Sequence, residues 1–427
     1  MKPQRLFMIL AIAGGMAACS NSDDVTDENN LNVQSPNQNP GGETLSDSAF
    51  RLNTAQMERV APLNEFSVKL FRQLSSGQVS TVVSPLSVAF VLGMINDGAQ
   101  NQTQQEILTA LGFGSDNAKT VDELMKKFIE GAPKADPKVT VALANNVTLN
   151  KDYHLNPTYV QVMKEYYEAS TYSLDFSKPE ALQTINGWCN EKTRGLIPSI
   201  IAELRPNAVA YLLNAIYFKG EWKYKFDKNM SYGEGFQTTD GFKDIVMMHK
   251  TAKALYAEKE GLKALRLPIG DGRYSMTFLL PSTVDGLDNM KTQLTGKSIQ
   301  SLAFTEQEVE MALPVFTTQA DIDLIPLMQA LGVKRMFSHD AELWGIAQQD
   351  GKNASLFVSL MKQKTRLGVD EQGTEGAAVT IAELLETSDL PDEQPKTTTF
   401  YATHPFVYAI TEQATGALFF MGQFCGE

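Results

Sequence analysis

Between the strand-like residues 364–369 and the strand-like residues that start at Phe400, the chain runs for about thirty residues, longer than connections inside compact domains usually are. Such a stretch is either functional or unstructured. Its first half, Glu371 to Ser388, is neither polar nor Gly-rich. Split by the two-residue period of a strand, one set is Thr374, Gly376, Ala378, Thr380, Ala382 and Leu384, all uncharged and mostly small. The other set is Glu375, Ala377, Val379, Ile381, Glu383 and Leu385, which holds both charges. A ribbon of this kind suits a closely packed sheet with one face inward, after being exposed in a long loop. The alternation breaks at Glu386. Ala, Glu and Leu are also good helix formers, so a helical or irregular surface loop fits the same residues.

The remaining sequence supplies a body for that ribbon. With 43% hydrophobic and 20% charged residues in 427, the chain has apolar material for a large core. Early stretches read as helices: Phe66, Leu70 and Phe71 share a face, and Ser84-Pro85 caps an apolar helix from Leu86 to Asn96. A further helix is read from Thr184 to Leu196, ended by Gly195 and Pro198. Strand-like runs follow at Ala208 to Phe218, Leu262 to Leu267, Tyr274 to Leu280, Val309 to Leu313, part of Ser355 to Val369, Phe406 to Ile410 and Ala417 to Phe424. Helices early and strands late predict an α+β body with a mainly antiparallel or mixed sheet.

Charge and rare residues narrow the function. Thirty-seven Lys and Arg against 50 Asp and Glu give a net charge of -13, which repels nucleic acid and anionic lipid surfaces. Three cysteines and four histidines are too few for a disulfide scaffold and leave little for a metal site or a nucleophile-base pair. No Gly-x-Ser-x-Gly elbow, phosphate loop, His-Glu-x-x-His or Cys-x-x-Cys is present, so neither cofactor nor metal is expected and an enzyme is disfavoured. Cys189 is read as a core residue, Trp222 and Trp344 as core or sheet-edge aromatics, and Cys425 has no assigned role. At the N-terminus, Lys2 and Arg5 precede an apolar run too short to span a bilayer, which reads as a signal peptide over residues 1–18. Met16-Ala17-Ala18-Cys19 resembles a bacterial lipobox, with Cys19 as the lipid anchor. Ordinary secretion is the alternative. Residues 19–50 then form a flexible Asn, Asp, Ser, Gln, Pro and Gly stalk, and 51–427 one folded domain.

Glu371-Gln372-Gly373-Thr374-Glu375-Gly376-Ala377-Ala378 resembles the hinge of the reactive-centre loop of serpins, and the resemblance extends over essentially all of residues 55–427. Val83-Ser84-Pro85-Leu86-Ser87, Ile185-Asn186-Gly187-Trp188, and Asn214 to Trp222 followed by Phe226 fall in the family's order. So do Leu313-Pro314-Val315-Phe316, His404-Pro405-Phe406 and Phe419-Phe420-Met421-Gly422.

The resemblance implies a serpin-like α+β fold with a large mixed central sheet, further sheets, about eight or nine helices and an exposed loop. It also implies suicide-substrate inhibition of a protease, in which the cleaved loop inserts into the large sheet. By family spacing the scissile bond falls between Thr387 and Ser388, with Leu385-Glu386 and Glu386-Thr387 as alternatives. The hinge comprises Glu371, Gly373, Thr374, Glu375, Gly376, Ala377, Ala378, Val379 and Thr380. Ser84, Ser87, Asn214, Trp222 and Gln363 are the sheet-opening residues. No charge or proline stands at Thr374, Gly376 or Ala378 to stall insertion. Gly376 departs from the usual alanine, and Gln363 stands where many members carry histidine. Thr387 suits an elastase-like protease and Leu385 a chymotrypsin-like or papain-like one, while the lack of basic residues from Glu371 to Leu390 disfavours trypsin-like targets. The expected product is a monomeric outer-membrane lipoprotein at the cell surface or periplasmic face. The other reading is a non-inhibitory serpin-fold surface binding protein.

Overall fold

A computed structural model of the chain describes residues 50–427 except 115, 206, 207, 260 and 376–397. Phe50, the first described residue, is already packed: its ring meets Phe128 edge-on at 5.6 Å, and Arg273 donates to its carbonyl oxygen at 2.6 Å.

Six strands form the sheet that matters most. They are β1 (Val139–Asn150), β2 (Ser170–Leu174), β3 (Ala210–Glu221), β4 (Phe316–Asp323), β5 (Lys362–Val369) and β6 (Gly373–Thr374). Their spatial order is β4-β5-β6-β3-β1-β2, antiparallel except for the parallel pair β1 and β2. A second, nine-stranded sheet is built mainly from antiparallel hairpins. Its centre, Tyr274–Pro281, Phe406–Glu412 and Leu418–Phe424, is buried at every position. Thr398–Tyr401 lies at one edge of that sheet, parallel to Thr305–Pro314. Both sheets are mixed and the helices pack around them, as the α+β reading requires.

The helix Pro85–Gly98 is buried almost all round because it packs against both β3 and Leu418–Phe424. Ser84 caps it and Pro85 takes the first turn, where a missing N–H costs nothing. The helix expected over Thr184–Leu196 instead spans Pro179–Lys192. Proline again occupies its first turn, and the left-handed Arg194 (φ 51°) and Gly195 (φ 87°) follow its end. This helix lies on the outer face of the large sheet, where Ile185, Trp188 and Cys189 pack with Tyr211, Leu213 and Ala215. Burial pushes the Cys189 thiol up to about 12, consistent with an inert core residue. Trp222 is buried, whereas Trp344 is 42% exposed in a loop, so the core or sheet-edge expectation fails for Trp344.

Candidate functional site

The chain's entry into the large sheet is fixed at β6. Gly373 and Thr374 pair with Glu221 and Gly220 of β3, and Thr374 pairs with Val369 of β5. Among the described residues, no ladder joins β3 directly to β5. The approach is close on both sides: a Cβ at Gly373 would overlap the Gly220 carbonyl oxygen, and one at Gly368 would overlap that of Glu375. Glycine is needed at both positions because backbone fills the space a side chain would take.

The two faces of this entry differ in chemistry. Thr374 points inward and is 1% exposed, its hydroxyl 3.4 Å from the Gly220 carbonyl. Glu375 points outward, where it accepts from the Tyr217 hydroxyl at 3.0 Å and pairs with Lys219 at 2.5 Å. The Arg194 guanidinium lies 5.1 Å from the centre of the Tyr217 ring. Burial, then the Glu375 hydrogen bond, raises the Tyr217 pKa, and the hydrogen bond to Glu375 raises that of Lys219. At β6 the inward side chain, Thr374, is thus small and neutral, and the charge of the following Glu375 faces outward.

The loop base hangs on Trp222 and Phe226. The Trp222 indole donates to the Asp370 carbonyl at 2.8 Å, its amide to Gln372 at 2.8 Å, and the Phe226 amide to Glu371 at 3.0 Å. Asp370 in turn accepts from the amides of Gln372 and Gly373 at 2.8 and 3.0 Å.

Four of the five expected sheet-opening residues meet beneath the middle of β3 and β5. Gln363 accepts from the Ser84 amide and donates to the Ser84 carbonyl, both at 2.9 Å. Ser87 donates to Asn214, and Asn214 donates to Asn145 at 2.8 Å. Trp222 stands apart, eight positions along the chain from Asn214, or roughly 26 Å at strand spacing. Its place is the loop base, a correction to its grouping with Ser84, Ser87, Asn214 and Gln363. Thr365 also donates to Gln363 at 2.9 Å, and Asn145, Thr365, Tyr217, Lys219 and Asp370 all belong to these contacts without having been expected from the sequence. Their signal is spatial, since Tyr217 and Lys219 reach Glu375 only through the sheet. Gly376, Ala377, Ala378, Val379, Thr380, the bonds at Leu385, Glu386, Thr387 and Ser388, and the anchor Cys19 lie outside the described residues.

The pattern of the serpin (serine protease inhibitor) family matches residues 61–426. The chain belongs to the serpin family. An uncharacterized serpin-like protein of Thermococcus kodakarensis is 29% identical over 402 residues, covering 91% of this chain and 92% of the relative. Iripin-8 of Ixodes ricinus is 30% identical over 375 residues, covering 84% and 91%. Among solved structures, the thermophilic serpin tengpin in its native state superposes with a TM-score of 0.77 at 25% identity, covering 88% of this serpin and 95% of tengpin.

Proposed function

We propose that this serpin inhibits serine proteases by presenting residues 376–397 as a substrate and inserting the cleaved segment between β3 and β5. The observation that carries the reading is β6: Gly373 and Thr374, just before the segment, are already laddered to β3, and Thr374 to β5 as well. Continuing that register aligns Thr380 with Asn214 and Gln363, and Leu384 with Ala210 and Ser359. The latter pair lines a shallow cleft with apolar side chains between the start of β3 and the approach to β5. An inserted Leu384 would be buried there.

The energetics follow from the backbone. About fifteen inserted residues at roughly 3.3 Å each would carry an attached protease on the order of 50 Å. A dozen new ladder bonds at about 1 kcal/mol each supply on the order of 10 kcal/mol, comparable with the stability of a whole domain. That suffices to distort an acyl-enzyme.

The bond attacked is proposed as Thr387-Ser388, with elastase-like proteases as targets; cleavage at Leu385-Glu386 would instead shift preference to chymotrypsin-like enzymes. The serpin is further proposed to act as a monomer, held by lipid at Cys19 on the outer membrane. The test is to mix it with pancreatic elastase and chymotrypsin and look for an SDS-stable complex. Degradation of the loop without enzyme attachment or loss of enzyme activity would overturn the inhibitory reading. Mass spectrometry of the released peptide fixes the bond, and radiolabelled lipid incorporation lost in Cys19→Ala tests the anchor.

A further inference from the structure

In the strand Thr305–Pro314 the two-residue period puts Glu306, Glu308 and Glu310 on one face and Val309, Met311 and Leu313 on the other. The apolar set is buried and the three carboxylates are exposed. Successive carboxylates on one strand face stand about 7 Å apart and repel one another. Among the described residues, no cation lies within salt-bridge distance of any of the three. Lys253 faces Glu308 across the strands, four positions from the end of the face where Tyr401 pairs with Ala312. Packing alone does not call for this charge.

That end of the face is aromatic. Ala312 pairs with Tyr401 on one side and with His249 on the other, and Tyr232 of the next strand stacks on the His249 ring at 4.4 Å. Ala312 is 1% exposed between them, whereas Tyr401 keeps 40% and Tyr232 36% of its surface open. Two carboxylates converge on these rings: Glu310 lies beside the Tyr401 hydroxyl, and Glu234 lies 3.3 Å from Nε2 of His249. Burial, then Glu310, then Glu234 push the Tyr401 pKa up to about 12, as expected of a phenol held among carboxylates. Open tyrosine faces flanked by unneutralised carboxylates are complementary to a planar cation, which can lie on a ring while donating to an acid.

The position of the face says what would carry that cation. Tyr401 belongs to the strand that begins at Thr398, directly after the segment proposed as the substrate. Ten residues, 388–397, separate the proposed scissile bond from Thr398, so the bond stays within about 35 Å of this strand. A protease of some 220 residues has a radius of gyration of roughly 17 Å, so its body reaches the rings while its active site holds the loop. We infer that this face is a second contact for the attacking protease, taking an arginine of the protease surface between Tyr232 and Tyr401 with Glu234 and Glu310 as acceptors. The inference rests on the inhibitory reading for its partner, and it adds a preference for proteases with a cationic surface beside the active site.

The experiment is surface plasmon resonance of the full chain with pancreatic elastase whose active-site serine has been converted to dehydroalanine, which binds without cleaving. Binding is expected to be saturable and to weaken about tenfold in the double variant Glu234→Gln, Glu310→Gln, the equivalent of one charge-assisted contact. Tyr401→Leu should weaken it about threefold through loss of the ring face alone. Glu306→Gln removes the same charge four residues from Glu310 and should change it less than about twofold, well short of Glu310→Gln. Blocking the elastase arginines with phenylglyoxal should weaken binding to the unmodified chain about tenfold and abolish the difference between it and the double variant. Absence of binding, equal effects of Glu306→Gln and Glu310→Gln, or additive losses with the blocked enzyme would each overturn the surface. The inhibitory reading is judged separately, by the SDS-stable complex with active elastase. Trapping with affinities unmoved by the variants sinks the surface alone, and a tenfold difference without trapping sinks the inhibitory reading alone.

Discussion

The two sheets are finished in different ways. The centre of the nine-stranded sheet is apolar and continuous: Phe278, Phe406 and Phe420 are buried, and every neighbouring pair of its central strands is joined by a ladder. The large sheet buries Asn145, Asn146, Thr148, Asn214, Gln363 and Thr365, and its two middle strands meet, among the described residues, only through the two residues of β6. Hydrogen bonds between neutral side chains can be exchanged for new ones at small net cost, whereas interlocked aromatic rings cannot be parted without opening a cavity. One sheet is suited to anchoring the molecule, the other to being reopened.

Four changes break or sharpen this contrast. The largest effect is expected from Thr374→Arg, which asks a guanidinium to occupy a position that is 1% exposed. Trapping should be lost entirely and the variant consumed as a substrate, as read by gel electrophoresis after mixing with elastase. Next, Phe278→Ala in the anchoring sheet should cost about 3–5 kcal/mol in urea unfolding, and by a similar amount in intact and nicked chains. Gln363→Ala leaves the Ser84 amide and carbonyl buried without their partner, and should cost about 1–3 kcal/mol in the same assay. A cost above that of Phe278→Ala would reverse the comparison.

The smallest effect concerns the helix that lies between the sheets. At its C-terminal end the half-buried Asp97 lies beside the buried Asp122, which accepts from the Tyr167 hydroxyl at 2.8 Å. Burial, then the neighbouring carboxylate, raises the Asp97 pKa, and burial also raises that of Asp122. The folded state thus retains protons that the unfolded chain loses above about pH 4. The pair's contribution to stability is fullest in acid and is lost as pH rises through the raised values. Asp97→Asn should flatten the fall in melting temperature between pH 5 and pH 9, and an unchanged slope would remove the pair from the account.

What could be read from the sequence follows the same division. The anchoring strands Tyr274–Pro281, Phe406–Glu412 and Leu418–Phe424 were legible because apolar residues crowd them. By contrast, β1 was not read, because Asn145, Asn146, Thr148 and Asn150 make its buried positions look like loop. The onset of the helix at Pro179 was missed because proline in a first turn resembles a breaker. At the candidate site, the hinge residues Glu371 to Glu375 stood out through their resemblance to the family. Their partners did not, because Tyr217, Lys219 and Trp222 come from about 150 residues earlier and meet them only after the sheet is assembled.

The central claim is that the large sheet can accept one more strand. It is tested most directly by cutting the loop within residues 376–397 with a limiting amount of a protease that is not trapped, and comparing thermal unfolding of nicked and intact chains. Insertion predicts a markedly higher melting temperature for the nicked chain, in keeping with a gain on the order of 10 kcal/mol. Equal or lower melting of the nicked chain would contradict it.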